Sequence, residues 1–104
     1  MDIQLKRGIL DACVLAAIKN EDSYGYRIIK DLSECIELSE STLYPILRRL
    51  ESGGLLAVYS VEHSGRLRKF YHITEQGIRR SDEFLSGWAE MERIFEFIKE
   101  CSES

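Results

Sequence analysis

Ser39-Glu40-Ser41-Thr42-Leu43-Tyr44-Pro45-Ile46-Leu47-Arg48-Arg49-Leu50-Glu51-Ser52, closed by Gly53-Gly54, is the stretch that decides the fold. Ser39 is a helix-capping residue and the glycine pair is a stop, so the spacing predicts one helix from Ser39 to about Ser52. On a helical wheel Leu43, Ile46, Leu47 and Leu50 fall within about 100° of each other, the stripe that must be buried. Ser41, Pro45, Arg48 and Ser52 lie opposite, with Thr42, Tyr44 and Arg49 at the flanks. A solvated helix face usually mixes Glu with Lys; this one is small, hydroxylic and cationic. Such a face can approach a DNA groove closely, donate to phosphates or bases, and offer Arg48 to a guanine edge. The plain alternative is an amphipathic surface helix with no such partner. Pro45 removes the bond to the carbonyl of Ser41, so the first turn is expected to be distorted or to begin late.

Working toward the N-terminus, Leu5 to Ile18 carries Leu5, Ile9, Cys13 and Ala16 with Leu10, Val14 and Ala17 beside them. That 3.6-residue period predicts a helix apolar over much of its circumference, covered on more than one side. Asn20-Glu21-Asp22-Ser23 reads as a loop with Ser23 as an N-cap. A short helix follows, with Tyr26, Ile29 and Leu32 toward the core. Gly25 inside it costs about 1 kcal/mol relative to Ala, and close approach to a neighbouring backbone would explain it.

Toward the C-terminus, Leu55–Glu62 and Leu67–Thr74 are β-rich runs, and His63-Ser64-Gly65-Arg66 reads as the tip of a hairpin. Arg66, Arg68 and Lys69 crowd that end, and His63 adds a donor. A cationic, glycine-tipped hairpin can rest on phosphates or probe a minor groove, although charged edge residues also serve solubility alone. Thr74 then caps a helix from Glu75 to about Glu100. Three helices, a hairpin and a long helix give a mainly α fold with a small β-hairpin. The layout is a winged helix-turn-helix over residues 1–74 and a C-terminal dimerisation helix with an acidic tail over 75–104.

The net charge of −4 is unevenly placed. Residues 1–81 hold 12 basic and 11 acidic side chains, whereas residues 82–104 hold 2 and 7. The acidity is thus C-terminal, and a domain's local field matters more to a nucleic acid than the total. No run approaches the roughly 18 apolar residues of a membrane span, and the start lacks the blocks of a secretory signal. Cys13, Cys35 and Cys101 form no CxxC pair, so neither a disulfide framework nor a metal site is expected, and a reducing cytoplasm fits. His63 and His72 have no carboxylate at ligand spacing, and Gly53-Gly54 and Ser64-Gly65 lack a phosphate-loop ending, so neither an enzyme nor a cofactor is expected.

In the last helix Phe84, Trp88, Met91, Phe95 and Ile98 are spaced four, three, four and three, a heptad seam widened by Leu85, Ile94 and Phe97. So many large apolar groups on one protruding helix call for a second copy. The first helix, with Leu5 and Ile9, is the natural surface for that copy's last helix. Trp88 either packs this interface or, with Leu5, Ile9 and Glu92, borders a cavity for a flat aromatic effector. Cys13 and Cys101 offer a further, redox, reading of the same region. A protein-docking winged helix without sequence-specific DNA binding is the rival function, and it would tolerate acidic or bulky apolar groups on the outer face of the third helix.

Ser41 through Glu51 with Gly54-Leu55, Tyr24-Gly25-Tyr26, Arg68-Lys69-Phe70-Tyr71, Ile73-Thr74-Glu75 and Gly77 together resemble the PadR-like transcriptional regulators. The likeness runs in order and spacing from about Leu5 to Gly77, with a single C-terminal helix like that of the family's short subgroup. It implies a dimeric repressor on an inverted-repeat operator, often of detoxification, efflux or stress genes. It also implies that Ser41, Thr42, Tyr44 and Arg48 face DNA from the helix, that Gly65 and Arg66 form the wing tip, and that an aromatic compound can bind between subunits.

Overall fold

The computed structural model describes residues 3–103, so Met1 and Asp2 of the expected first domain and Ser104 of the expected tail lie outside it. Among the described residues α1 (Ile3–Lys19), α2 (Gly25–Leu32) and α3 (Glu40–Ser52) precede an antiparallel hairpin, β1 (Leu56–His63) with β2 (Arg66–Ile73), and α4 (Glu75–Glu103) follows. Val14, Leu15 and Ile18 of α1, Ile28 and Leu32 of α2, all four stripe residues of α3, and Leu55, Leu56, Tyr71 and Ile73 at the hairpin root form one core. Three helices closed by a two-stranded wing make a winged helix, extended by the long α4.

Local chemistry explains the ends of α3. The Ser39 side chain accepts from the Thr42 amide at 3.3 Å, which satisfies one orphan donor of the first turn. At the other end the Leu55 amide returns to Leu50 O at 2.9 Å and the Gly54 amide to Glu51 O at 3.0 Å, with Gly54 at φ 75°. This is a Schellman stop, and only glycine enters that left-handed conformation without a steric penalty. Pro45 neither delays nor breaks the helix, contrary to expectation. It lies beyond the first turn, and both it and Ser41 are exposed, so water can serve the carbonyl that loses its partner.

Helix α2 departs further from the sequence reading. Tyr24, not Ser23, occupies the N-cap, and it makes no side-chain cap bond. Ser23 is buried and pairs by backbone with Tyr71 of β2, through bonds of 3.2 and 2.7 Å. The buried stripe is Gly25, Ile28 and Leu32; Ile29 is half-buried and Tyr26 is 67% exposed. The reason lies at Gly25, where an added Cβ would sit 2.7 Å from Tyr44 Oη. Tyr44 claims that side of α2 and turns Ile28, not Tyr26, to the core. The close neighbour of Gly25 is therefore a side chain and not a backbone.

The wing's strands have the expected length but lie one residue nearer the tip, so its turn is tighter than the sequence suggested. Its strands meet at a two-residue turn, Ser64 at φ 52° and Gly65 at φ 78°, the type I′ geometry that matches strand twist. At its root the Asp22 carboxylate accepts from Tyr59 Oη at 2.6 Å and from His72 Nδ1 at 2.8 Å. The Tyr59 bond and then the His72 bond hold the Asp22 carboxyl below its usual range, and Asp22 in turn raises the Tyr59 phenol. A depressed carboxylate contributes stability above its unfolded value, about pH 4, and loses it as pH falls through the lower folded value. The raised phenol contributes below its unfolded value, about pH 10, and that contribution is lost as pH rises through the higher folded one. Thermal melts between pH 6 and pH 3 should therefore fall more steeply for the wild-type chain than for Asp22→Asn, and parallel curves would contradict this.

Thr74 caps α4 as expected: its Oγ1 accepts from the Gly77 amide at 3.1 Å and donates to Gly54 O at 2.6 Å. Any Cβ on Gly77 would collide with Leu55 O, so the helix starts in direct contact with the wing root. Ser81 is also buried, and Lys19 of α1 pairs with Asp82 at 3.7 Å. From Leu85 onward every described residue of α4 is exposed. The helix thus leaves the domain as a rod, and the molecule reaches 64 Å in its longest dimension. Among the described residues no helix is long and apolar enough to cross a membrane.

Candidate nucleic-acid interface

Helix α3 offers its N-terminus and one face to solvent. Ser39 Oγ lies 2.9 Å from Ser41 Oγ and 3.1 Å from Thr42 Oγ1, three hydroxyls gathered where unpaired amides and the helix dipole favour an anion. Pro45 and Arg48 are exposed farther along. Among the described residues the Arg48 guanidinium has no ion-pair partner. Arg49 differs: it pairs with Asp11 of α1, on the side of α3 turned to the bundle. Of the two arginines, only Arg48 has its charge free for an external anion.

Between the start of α2 and α3 on one side and the wing on the other lies a groove of about 700 Å³. Tyr24, Gly25, Tyr26, Glu40 and Tyr44 line its helical side; His63, Ser64, Arg66, Leu67, Arg68, Lys69 and Tyr71 line the wing side. Of the expected DNA-facing residues, Tyr44, His63, Ser64, Arg66, Arg68 and Lys69 meet here, with Gly65 at the wing tip. Ser39, Ser41, Thr42, Pro45 and Arg48 occupy the adjoining exposed face of α3. The basic side chains of the lining sit on the wing, and Glu40 is its one acid.

Sequence reasoning missed Tyr24, Tyr26 and Leu67 as parts of this surface. Tyr24 packs edge-on against Phe70, with centroids 5.5 Å apart, and carries the Arg68 guanidinium 4.3 Å above its ring. That cation–π contact aims Arg68 without neutralising it. Two tyrosines flanking Gly25 were the available signal, since α2 has too few turns to bury both.

A second surface follows α4. Leu5, Phe84, Gly87, Trp88, Met91 and Ile94 line an apolar cleft of about 370 Å³, rimmed by Glu83 and Glu90. The Phe84 and Trp88 rings stack at 6.2 Å, and Trp88 Nε1 donates to Glu92 at 3.0 Å. Phe95 and Ile98 continue the exposed row, whereas Ile9 is half-buried outside the cleft lining. Burial, and secondarily Cys35, pushes the Cys13 thiol up, which lowers the thiolate fraction that a redox sensor draws on.

Residues 14–83 match the family model described as transcriptional regulator PadR-like family. A PadR-like transcription factor of Bacteroides fragilis, known from its X-ray structure, is 33% identical and superposes with a TM-score of 0.84, covering 91% of this chain and 94% of that one. An uncharacterised protein of Lysinibacillus sphaericus is 34% identical over 99 residues, 90% of this chain and 91% of its own. PadR of Bacillus subtilis, crystallised in complex with operator DNA, shares the fold at 20% identity and a TM-score of 0.68, over 74% of this chain and 46% of that one.

Proposed function

The chain belongs to the PadR-like family of transcriptional regulators, and from that premise we propose that it is a sequence-specific DNA-binding repressor acting as a homodimer on an inverted-repeat operator. The observation that carries this reading is the groove in which the start of α3 and the cationic wing face one another. The outer face of α3, with Ser41, Thr42, Tyr44 and Arg48, enters the major groove. His63, Arg66, Arg68 and Lys69 meet the flanking phosphates. That Bacillus subtilis PadR is crystallised on operator DNA supports the same use of the fold here. A two-fold dimer through α4 and the outer side of α1 would set the two α3 helices about 34 Å apart, one DNA turn.

The cleft beside Trp88 is the site for a small aromatic effector. Its apolar lining and the stacked Phe84 and Trp88 rings suit a flat ring. An effector acts only through its preference between conformations, and a near-complete switch needs about 5 kcal/mol of differential affinity.

Selection of sites from random duplex DNA, followed by anisotropy at two salt concentrations, tests the reading. A recovered dyad with half-sites about one turn apart supports it. Salt-sensitive binding without an enriched sequence leaves only phosphate attraction. No binding by a folded dimer points to a protein-docking module instead. On the selected operator, Gly25→Ala should keep the fold yet weaken binding about 10-fold, because the new methyl evicts the Tyr44 ring from its seat. Combining it with Tyr44→Ala should add little, and full additivity would mean that the glycine acts elsewhere.

A further inference from the structure

Three consecutive residues between α1 and α2 hold the wing at three points. Asp22 bridges the strands through Tyr59 of β1 and His72 of β2, Ser23 adds a backbone rung to Tyr71, and Tyr24 packs on Phe70 beneath Arg68. Beyond these points, from Ser60 to Lys69, every residue of the wing is exposed. A two-stranded hairpin exposed on both faces has little rigidity of its own, so its direction is set at its root.

We infer that Asp22 is a positioning residue for the wing, its carboxylate fixing the angle at which Arg66, Arg68 and Lys69 meet the DNA backbone. The inference rests on the DNA-binding reading of the groove. A tie to one strand would leave the ribbon free to roll about its long axis; a tie to both strands opposes roll and tilt together. The turn at Ser64 lies five positions beyond Tyr59, a lever of about 17 Å at the rise of a strand. A tilt of about 10° at the root therefore moves the tip by about 3 Å, more than a hydrogen bond to a phosphate can absorb. An ionised carboxylate only accepts, so both partners must donate, and no neutral apolar side chain can replace it.

The test compares Asp22→Ala, Asp22→Asn and the wing variant Arg66→Ala/Lys69→Ala on the selected operator, with hydrogen exchange on the free proteins. Asp22→Ala should bind about 10-fold more weakly, and its slope of log affinity against log salt should be shallower by about 2, the two wings each losing about one phosphate contact at roughly 0.9 per contact. The loss should not add to that of the wing variant. Amides of β1 and β2 should exchange faster while those of α3 stay unchanged. Asp22→Asn should recover most of the affinity, since its oxygen still accepts from Tyr59 and its amide can donate to His72 in the other tautomer. Wild-type binding together with an unchanged salt slope in a folded Asp22→Ala overturns this inference alone, whatever the exchange rates. Absence of sequence-specific binding by the wild-type chain overturns the DNA reading, and this inference with it.

Discussion

Arg48→Glu is expected to yield a folded dimer whose operator affinity is lower by on the order of 100-fold or more. Arg48 sits on the outer face of α3, and among the described residues it has no ion-pair partner, so its removal costs the fold nothing that the structure provides. In the proposed complex its loss removes one contact per half-site, about 1–3 kcal/mol each, and a dimer carries two. The new carboxylate adds repulsion from the phosphates, which rules out mere neutrality. Two companions sharpen the result. Arg48→Lys keeps the charge but not the forked geometry, so it retains affinity if the contact is a phosphate and loses base preference if the contact is a guanine. Arg49→Ala should instead cost stability more than operator affinity, because Arg49 pairs with Asp11 of α1. Undiminished binding by Arg48→Glu would take α3 out of the DNA interface.

The contrast between these two arginines marks how far the sequence could be read. Leu43, Ile46, Leu47 and Leu50 are all buried because a thirteen-residue helix resolves a 3.6-residue period clearly. The cap at Ser39 and the stop at Gly54 are likewise local chemistry, legible within a few residues. Arg49 pairs across thirty-eight residues, however, and no local pattern announces Asp11 as its partner. Ser23 had the appearance of a helix cap because hydroxyls usually serve that role, yet its backbone is claimed by Tyr71 in the wing. Helix α2 has only eight residues, too few for its periodicity to choose between the stripes containing Tyr26 and Ile28. Tertiary contact with Tyr44 made that choice. The wing cations were legible as a cluster, while Asp22, which holds the wing, was hidden in an ordinary loop sequence.

The other large effect is expected on α4. If the chain pairs as proposed, Met91→Glu/Phe95→Glu should convert that dimer to a monomer at micromolar concentration, with helical content of the folded domain retained. Met91 is 56% and Phe95 60% exposed in the single chain, so neither contributes to its core. Both lie on the row that runs through Trp88 and Ile98 on one side of the rod. A large apolar side chain stabilises by about 1.5–3 kcal/mol when fully buried, and a two-fold seam buries each of these twice. Rather more than half of each is still exposed in the single chain, so the four amount to about 3.5–7 kcal/mol, and their loss raises the dimer dissociation constant by at least about 300-fold, with the desolvation of four carboxylates added. Operator affinity should then fall by about 100-fold or more, because each half-site is met by an independent monomer and the effective concentration supplied by the partner is gone. A half-site duplex should bind the variant and the wild-type chain alike, since α3 and the wing are untouched. Light scattering that still finds a dimer would move the seam away from this row, and a monomer with unchanged operator affinity would mean that dimerisation does not set recognition.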